Sequence, residues 1–89
     1  MTIEEKFTKK NIELKSKVQT EIQNVQLGLS VKNISQLKTI LNELNLMKEN
    51  PNIHVTYPRI IIDSWDYSDQ LGLELIELSD LYKKVYNKG

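Results

Sequence analysis

No cysteine occurs in the 89 residues, which excludes a disulfide framework and any thiolate chemistry. A single histidine, His54, has no cysteine or second histidine beside it. Zinc wants three or four converging ligands, and an activated serine wants a neighbouring base, so neither site can be assembled. Three scattered glycines form no phosphate-cradling loop. The longest uninterrupted apolar run is Ile60-Ile61-Ile62, so no segment is a membrane span. These absences lead to the expectation of no catalytic residue, no metal and no cofactor.

The N-terminal run Met1-Thr2-Ile3-Glu4-Glu5-Lys6 enters a charged amphipathic stretch and does not read as a signal peptide. A cytoplasmic protein is therefore expected, and the length suits a single domain, 1–89. The formal net charge is zero, but the two signs are separated along the chain. Residues 1–50 carry eight lysines against six glutamates. Asp63, Asp66, Asp69, Glu74, Glu77 and Asp80 then follow one another between Arg59 and Lys83 with no basic residue among them.

Periodicity predicts an all-α protein. Thr2 and Glu5 have the spacing of a capping box. Behind them Ile3, Phe7, Leu14, Val18, Ile22 and Val25 recur on one face of a long helix, with Asn11 interrupting the stripe. Gly28 is placed to end that helix in a left-handed cap. A second helix opens at Ser30 or Asn33 and carries Ile34, Leu37, Ile40, Leu41, Leu44 and Met47. Asn50-Pro51-Asn52 ends it, and the short link before it requires the two helices to lie antiparallel. Ile53 to Tyr57 reads as an extended crossing, and Pro58 as the opening of a short helix from Arg59 to Trp65. Asp66 or Ser68 caps the last helix, which runs to about Tyr86 on Leu71, Leu75, Leu78, Tyr82 and Val85. Gly72 inside it forgoes about 1 kcal/mol against alanine, which implies close backbone packing. The expected architecture is an antiparallel helical bundle of three main helices plus one short helix.

Two further chemical readings fail, one of the acidic region and one of the first helix. Asp66, Ser68, Gln70 and Glu77 fit positions 1, 3, 5 and 12 of a calcium loop, but Leu71 stands where the obligatory glycine belongs. The lysines of the first helix alternate with Glu4, Glu5, Glu13 and Glu21, which is a solvated face and not a nucleic-acid footprint.

A binding surface remains. Tyr57, Trp65 and Tyr67 are interleaved with Arg59, Asp63, Asp66 and Asp69, and aromatics with arginine dominate interface hot spots. Leu73 and Ile76 fall nearly opposite the core stripe of the last helix and call for further cover. With Glu77 these residues make up the expected partner-binding set. The order Glu49-Asn50-Pro51, a short spacer, Tyr57-Pro58, an acidic Asp/Ser stretch and a final amphipathic helix resembles the immunity proteins of nuclease colicins. That resemblance implies an inhibitor that neutralises a basic toxin or nuclease, with Tyr57 touching the toxin and Asp63, Asp66 and Asp69 nearby. Thr56 departs from the pattern, standing where a second tyrosine is expected. The alternative expectation is a self-associating, homodimeric helical module that buries Leu73 and Ile76, with Asn11 fixing register as a polar residue does in a coiled coil.

Overall fold

The computed structural model describes residues 2–50 and 53–86, which form four helices with no strand among them. They are α1 (Ile3–Gln26), α2 (Ile34–Glu49), α3 (Tyr57–Ser64) and α4 (Gln70–Tyr86). At 1.5 Å per residue, α1 is about 36 Å long, most of the molecule's 41 Å long axis. It packs against both α2 and α4, while the short α3 bridges those two.

Local chemistry sets each boundary. The Thr2 hydroxyl caps α1 as expected, accepting from Glu5 N–H, but the Glu5 carboxylate accepts from that hydroxyl, which is one half of the expected capping box. Gly28 adopts φ +78° just past the end of α1, a conformation that costs other residues but not glycine. Asn33, and not Ser30, caps α2: its Oδ1 accepts from Gln36 N–H at 3.1 Å. Ser30 instead accepts from Lys32 N–H within the connection. Asn50 follows the last residue of α2; Pro51 and Asn52, expected to share in ending it, lie outside the described residues.

Residues 53–56 have no regular structure. The Tyr82 hydroxyl secures this crossing, accepting from Ile53 N–H at 3.1 Å and donating to the Asn50 carbonyl at 2.8 Å. The next helix starts at Tyr57, earlier than expected, and Trp65 lies just beyond its end. Thr56 gives it no side-chain cap. Glu43, buried on α2, does so instead: its carboxylate accepts from Thr56 N–H at 2.7 Å, from Tyr57 N–H at 2.9 Å and from the Thr56 hydroxyl. Pro58 has no N–H to satisfy. For α4 the cap is Asp69, where Asp66 or Ser68 was expected. Asp69 Oδ1 accepts from Leu71 N–H at 3.0 Å and Gly72 N–H at 3.3 Å.

The core joins Phe7, Leu14 and Val18 of α1 to Leu37, Ile40, Leu44 and Met47 of α2, Tyr57 and Ile61 of α3, and Leu75, Leu78, Tyr82 and Val85 of α4. Phe7, Tyr82 and Tyr86 form a ring cluster with centroids 5.2–5.8 Å apart, so the start of α1 meets the end of α4. Asn11 is fully buried, and its Nδ2 donates to the Leu44 carbonyl at 3.0 Å. The polar break in the first stripe thus fixes α1 against α2 within one chain. It is not a contact between chains, which removes one support of the homodimer reading.

Gly72 shows why α4 tolerates a glycine. A Cβ there would sit 3.0 Å from Ile61 Cγ2 and 3.2 Å from Trp65 Cε3. Overpacking of that kind costs about 1–3 kcal/mol, against about 1 kcal/mol gained in helix propensity. Gly72→Ala is therefore expected to lower the urea midpoint; a raised midpoint would show that Ile61 and Trp65 give way freely. Glu43→Ala removes the acceptor for two backbone donors and is expected to cost about 2–4 kcal/mol. Hydrogen exchange should then show the amides of α3 losing protection ahead of those of α1.

Candidate protein-binding surface

The bundle brings both helical connections at one end together. Lys32, from the α1–α2 connection, pairs with Asp69 of the α3–α4 connection at 2.8 Å. The same ammonium lies 5.2 Å from the centroid of the Trp65 ring. Trp65 Nε1 donates to Gln36 Oε1 at 3.2 Å, and Gln36 Nε2 donates to Ser64 at 3.1 Å, closing α2 on the end of α3. Between the connections is a cleft of about 370 Å³ lined by Val31, Lys32, Gln36, Trp65, Asp66 and Asp69, among others.

Apolar side chains of both connections stand in solvent, and Val31 among them lines the cleft. Leu27 is 72% exposed, Leu29 75%, Val31 fully exposed, and Tyr67, on the other connection, 91%. The first three alternate along the α1–α2 connection, a pattern that no helix period buries. They are not among the residues expected from the sequence, where the only clue is three apolar residues in a seven-residue link.

The expected partner-binding residues divide among several fates. Tyr57 is a correction: it is completely buried, with its hydroxyl donating to the Leu75 carbonyl at 2.6 Å. Burial first, then the Glu43 carboxylate and Asp80, push its phenol far above the usual range. It is a core anchor and not a partner contact. Trp65 is half-buried against the core and lines the cleft. Arg59 and Asp63 are exposed on α3, paired with each other at 3.6 Å, beside Ile62, which is 70% exposed. Asp66 and Tyr67 are exposed at the cleft end, while Leu73 and Glu77 lie on the exposed side of α4 and Ile76 is half-buried against the core.

The acidic block also proves less open than its sequence implies. Glu74 pairs with Lys17 at 3.0 Å and Lys10 at 3.8 Å. Glu77 and Asp80 line a groove of about 560 Å³ between α1 and α4 in which Lys6, Lys9, Lys10 and Lys84 also stand. Part of the charge separated in the sequence is thus brought face to face across the α1–α4 seam. At the cleft end, Asp66 makes an Asx turn instead, its Oδ1 accepting from Ser68 N–H at 2.9 Å and from the Ser68 hydroxyl at 2.7 Å.

These contacts set carboxylate ionisation. Burial would raise Asp69, but Lys32 and the N–H groups of Gly72 and Leu71 outweigh it and hold the group below its ordinary value. The Lys17 hydrogen bond does the same for Glu74 against partial burial, helped by Lys10. The two Ser68 donors lower Asp66. No cluster of three or more His, Asp or Glu side chains suited to a metal occurs among the described residues. Among them, too, no helix is long and apolar enough to cross a membrane.

A carboxylate depressed in the folded state stabilises above its unfolded pKa, about 4, and that contribution is lost as pH falls through the folded value. The urea midpoint is therefore expected to fall steadily as pH is lowered from about 4. Asp69→Asn keeps a capping side chain but loses the charge facing Lys32. Its midpoint should be lower at neutral pH and its acid slope shallower; parallel profiles would mean that Asp69 contributes nothing to the acid transition. Comparison with known proteins found no family model, no curated protein and no solved structure that matches the chain.

Proposed function

We propose that this chain is a non-enzymatic protein-binding domain that docks its partner with the end formed by its two connections and the adjoining outer face of α3. The supporting observation is that Leu27, Leu29 and Val31 on one connection and Tyr67 on the other are all exposed, with Val31 lining the cleft between the connections. Exposed apolar side chains gathered in one place mark interaction sites, whereas scattered ones do not. Ile62, Arg59 and Asp63 extend the surface along α3, giving an apolar centre with a charged border, as interfaces have.

The partner is basic in this reading. Asp63 and Asp66 border the apolar set, and Asp66 has no cation within ion-pair distance among the described residues. An immunity-type inhibitor that neutralises a basic toxin or nuclease fits that border and the sequence likeness. Its contacts would be Arg59, Asp63, Trp65, Asp66 and Tyr67, with Leu29 and Val31 added and Tyr57 removed.

The test is affinity capture from the source cell on three immobilised forms: wild type, Leu29→Ser/Val31→Ser, and Lys48→Ser, which changes an exposed residue on α2. A partner held by the first and third but not the second is the expected result. With that partner purified, Asp63→Lys/Asp66→Lys should slow association about tenfold or more at low salt, with the difference shrinking as salt rises. Retention by all three forms would remove the connection from the interface. Light scattering over a wide concentration range accompanies the capture. A dimer abolished by Leu29→Ser/Val31→Ser would reassign the end to self-association.

A further inference from the structure

We propose that the cleft at Trp65 is a receptor for an arginine side chain of the partner, whose guanidinium stacks on the indole and pairs with Asp66. This inference rests on the docking reading above and specifies its central contact.

The charges lining the cleft do not balance. Among the described residues its lining holds one cation, Lys32, and two carboxylates, Asp66 and Asp69. Lys32 is committed to Asp69 at 2.8 Å, and the bonds Asp66 accepts come from the neutral Ser68. One negative charge at the cleft is therefore left for a second cation. Both Ser68 bonds fall on Asp66 Oδ1, which fixes the carboxylate in place while Oδ2 takes neither. The Ser68 donors also keep the group ionised.

Lys32 itself shows what chemistry the cleft accommodates, a cation beside an indole with a carboxylate in contact. Arginine suits the remaining place better than lysine. Its planar guanidinium stacks on an aromatic face, is more weakly hydrated than an ammonium, and presents a fork of donors to a carboxylate. Tyr67, 91% exposed, follows Asp66 in the chain. An anion is a poor alternative, because the N-terminus of α4 is already capped by Asp69.

Trp65 is the only tryptophan, so its indole N–H gives a single cross-peak in a proton–nitrogen spectrum. The probe is the peptide acetyl-Gly-Arg-Gly-amide, titrated at constant ionic strength beside acetyl-Gly-Gln-Gly-amide. The arginine peptide is expected to move the indole peak saturably with a weak affinity, and the glutamine peptide to leave it in place. Asp66→Asn, which preserves the Asx turn, should weaken binding several-fold, and Lys32→Met should strengthen it by removing a like charge. Equal shifts from both peptides, no shift at all, or a shift indifferent to Asp66→Asn would overturn the arginine receptor. Any of those results together with capture that still depends on Leu29 and Val31 leaves the docking reading standing alone. A saturable, Asp66-dependent shift with capture indifferent to Leu29 and Val31 supports the receptor and removes the apolar connection from the interface.

Discussion

The carboxylate of Glu43 determines where α3 lies. Eight residues are too few to hold a helix by propensity alone, and Thr56 offers α3 no cap of its own. Glu43 reaches from α2 to take the Thr56 and Tyr57 N–H groups and the Thr56 hydroxyl. Burying a carboxylate is expensive unless its oxygens are satisfied, and a helix N-terminus with a neighbouring hydroxyl satisfies them well. The Tyr57 hydroxyl then reaches the Leu75 carbonyl, so one residue of α3 is tied to α2 by its backbone and to α4 by its side chain. Ile61 seats over Gly72, and Trp65 closes onto Gln36. Those contacts fix α3 at its beginning, middle and end. The docking surface inherits that position.

Charge has a similar internal logic. A chain of zero net charge with its signs separated in sequence looks like a molecule with an acidic face. Folding turns much of that separation into complementarity, because α1 and α4 lie side by side and Glu74 meets Lys10 and Lys17. The lysines of these pairs remain open to solvent, which screens the attraction, so each contributes little to stability. Their larger effect is to disfavour packings that would bring like charges together. Asn11 acts in the same sense: its bond to Leu44 holds α1 in one register against α2, while its buried Oδ1 and the buried hydroxyl of Ser79 have no bond among the described residues.

The helices were legible because each carries its own period and stop signals. Thr2, Gly28 and Gly72 could be assigned roles from sequence, since capping, a positive φ and a missing Cβ are local requirements. The choice between Ser30 and Asn33 was not legible, because both residue types cap equally well. For α4, Asp66, Ser68 and Asp69 are all competent caps within four residues, and packing chose Asp69. Tyr57 misleads in sequence for a related reason. A tyrosine beside a proline in an acidic stretch looks like an interface residue until Glu43, fourteen positions earlier, draws its backbone into the core. Leu27, Leu29 and Val31 fit no helical stripe, so the sequence does not mark the apolar connection; that same misfit is why they remain exposed.

The candidate surface combines residues of two kinds, and the difference bears on its function. Lys32, Trp65 and Asp69 hold the two connections together, so their packing and bonds already serve the fold. Leu27, Leu29, Val31 and Tyr67 stand largely clear of it. A small domain has few large apolar side chains to spare from its core, and polar residues would fill a connection at no cost in solubility. Placing four such side chains on connections already tied together by the contacts of Lys32, Trp65 and Asp69 gives a partner something to bury against an ordered framework. Little conformational entropy is then lost on docking. Because the exposed group stands apart from the core, its substitution reports on binding, while substitution of Lys32, Trp65 or Asp69 reports on binding and folding together.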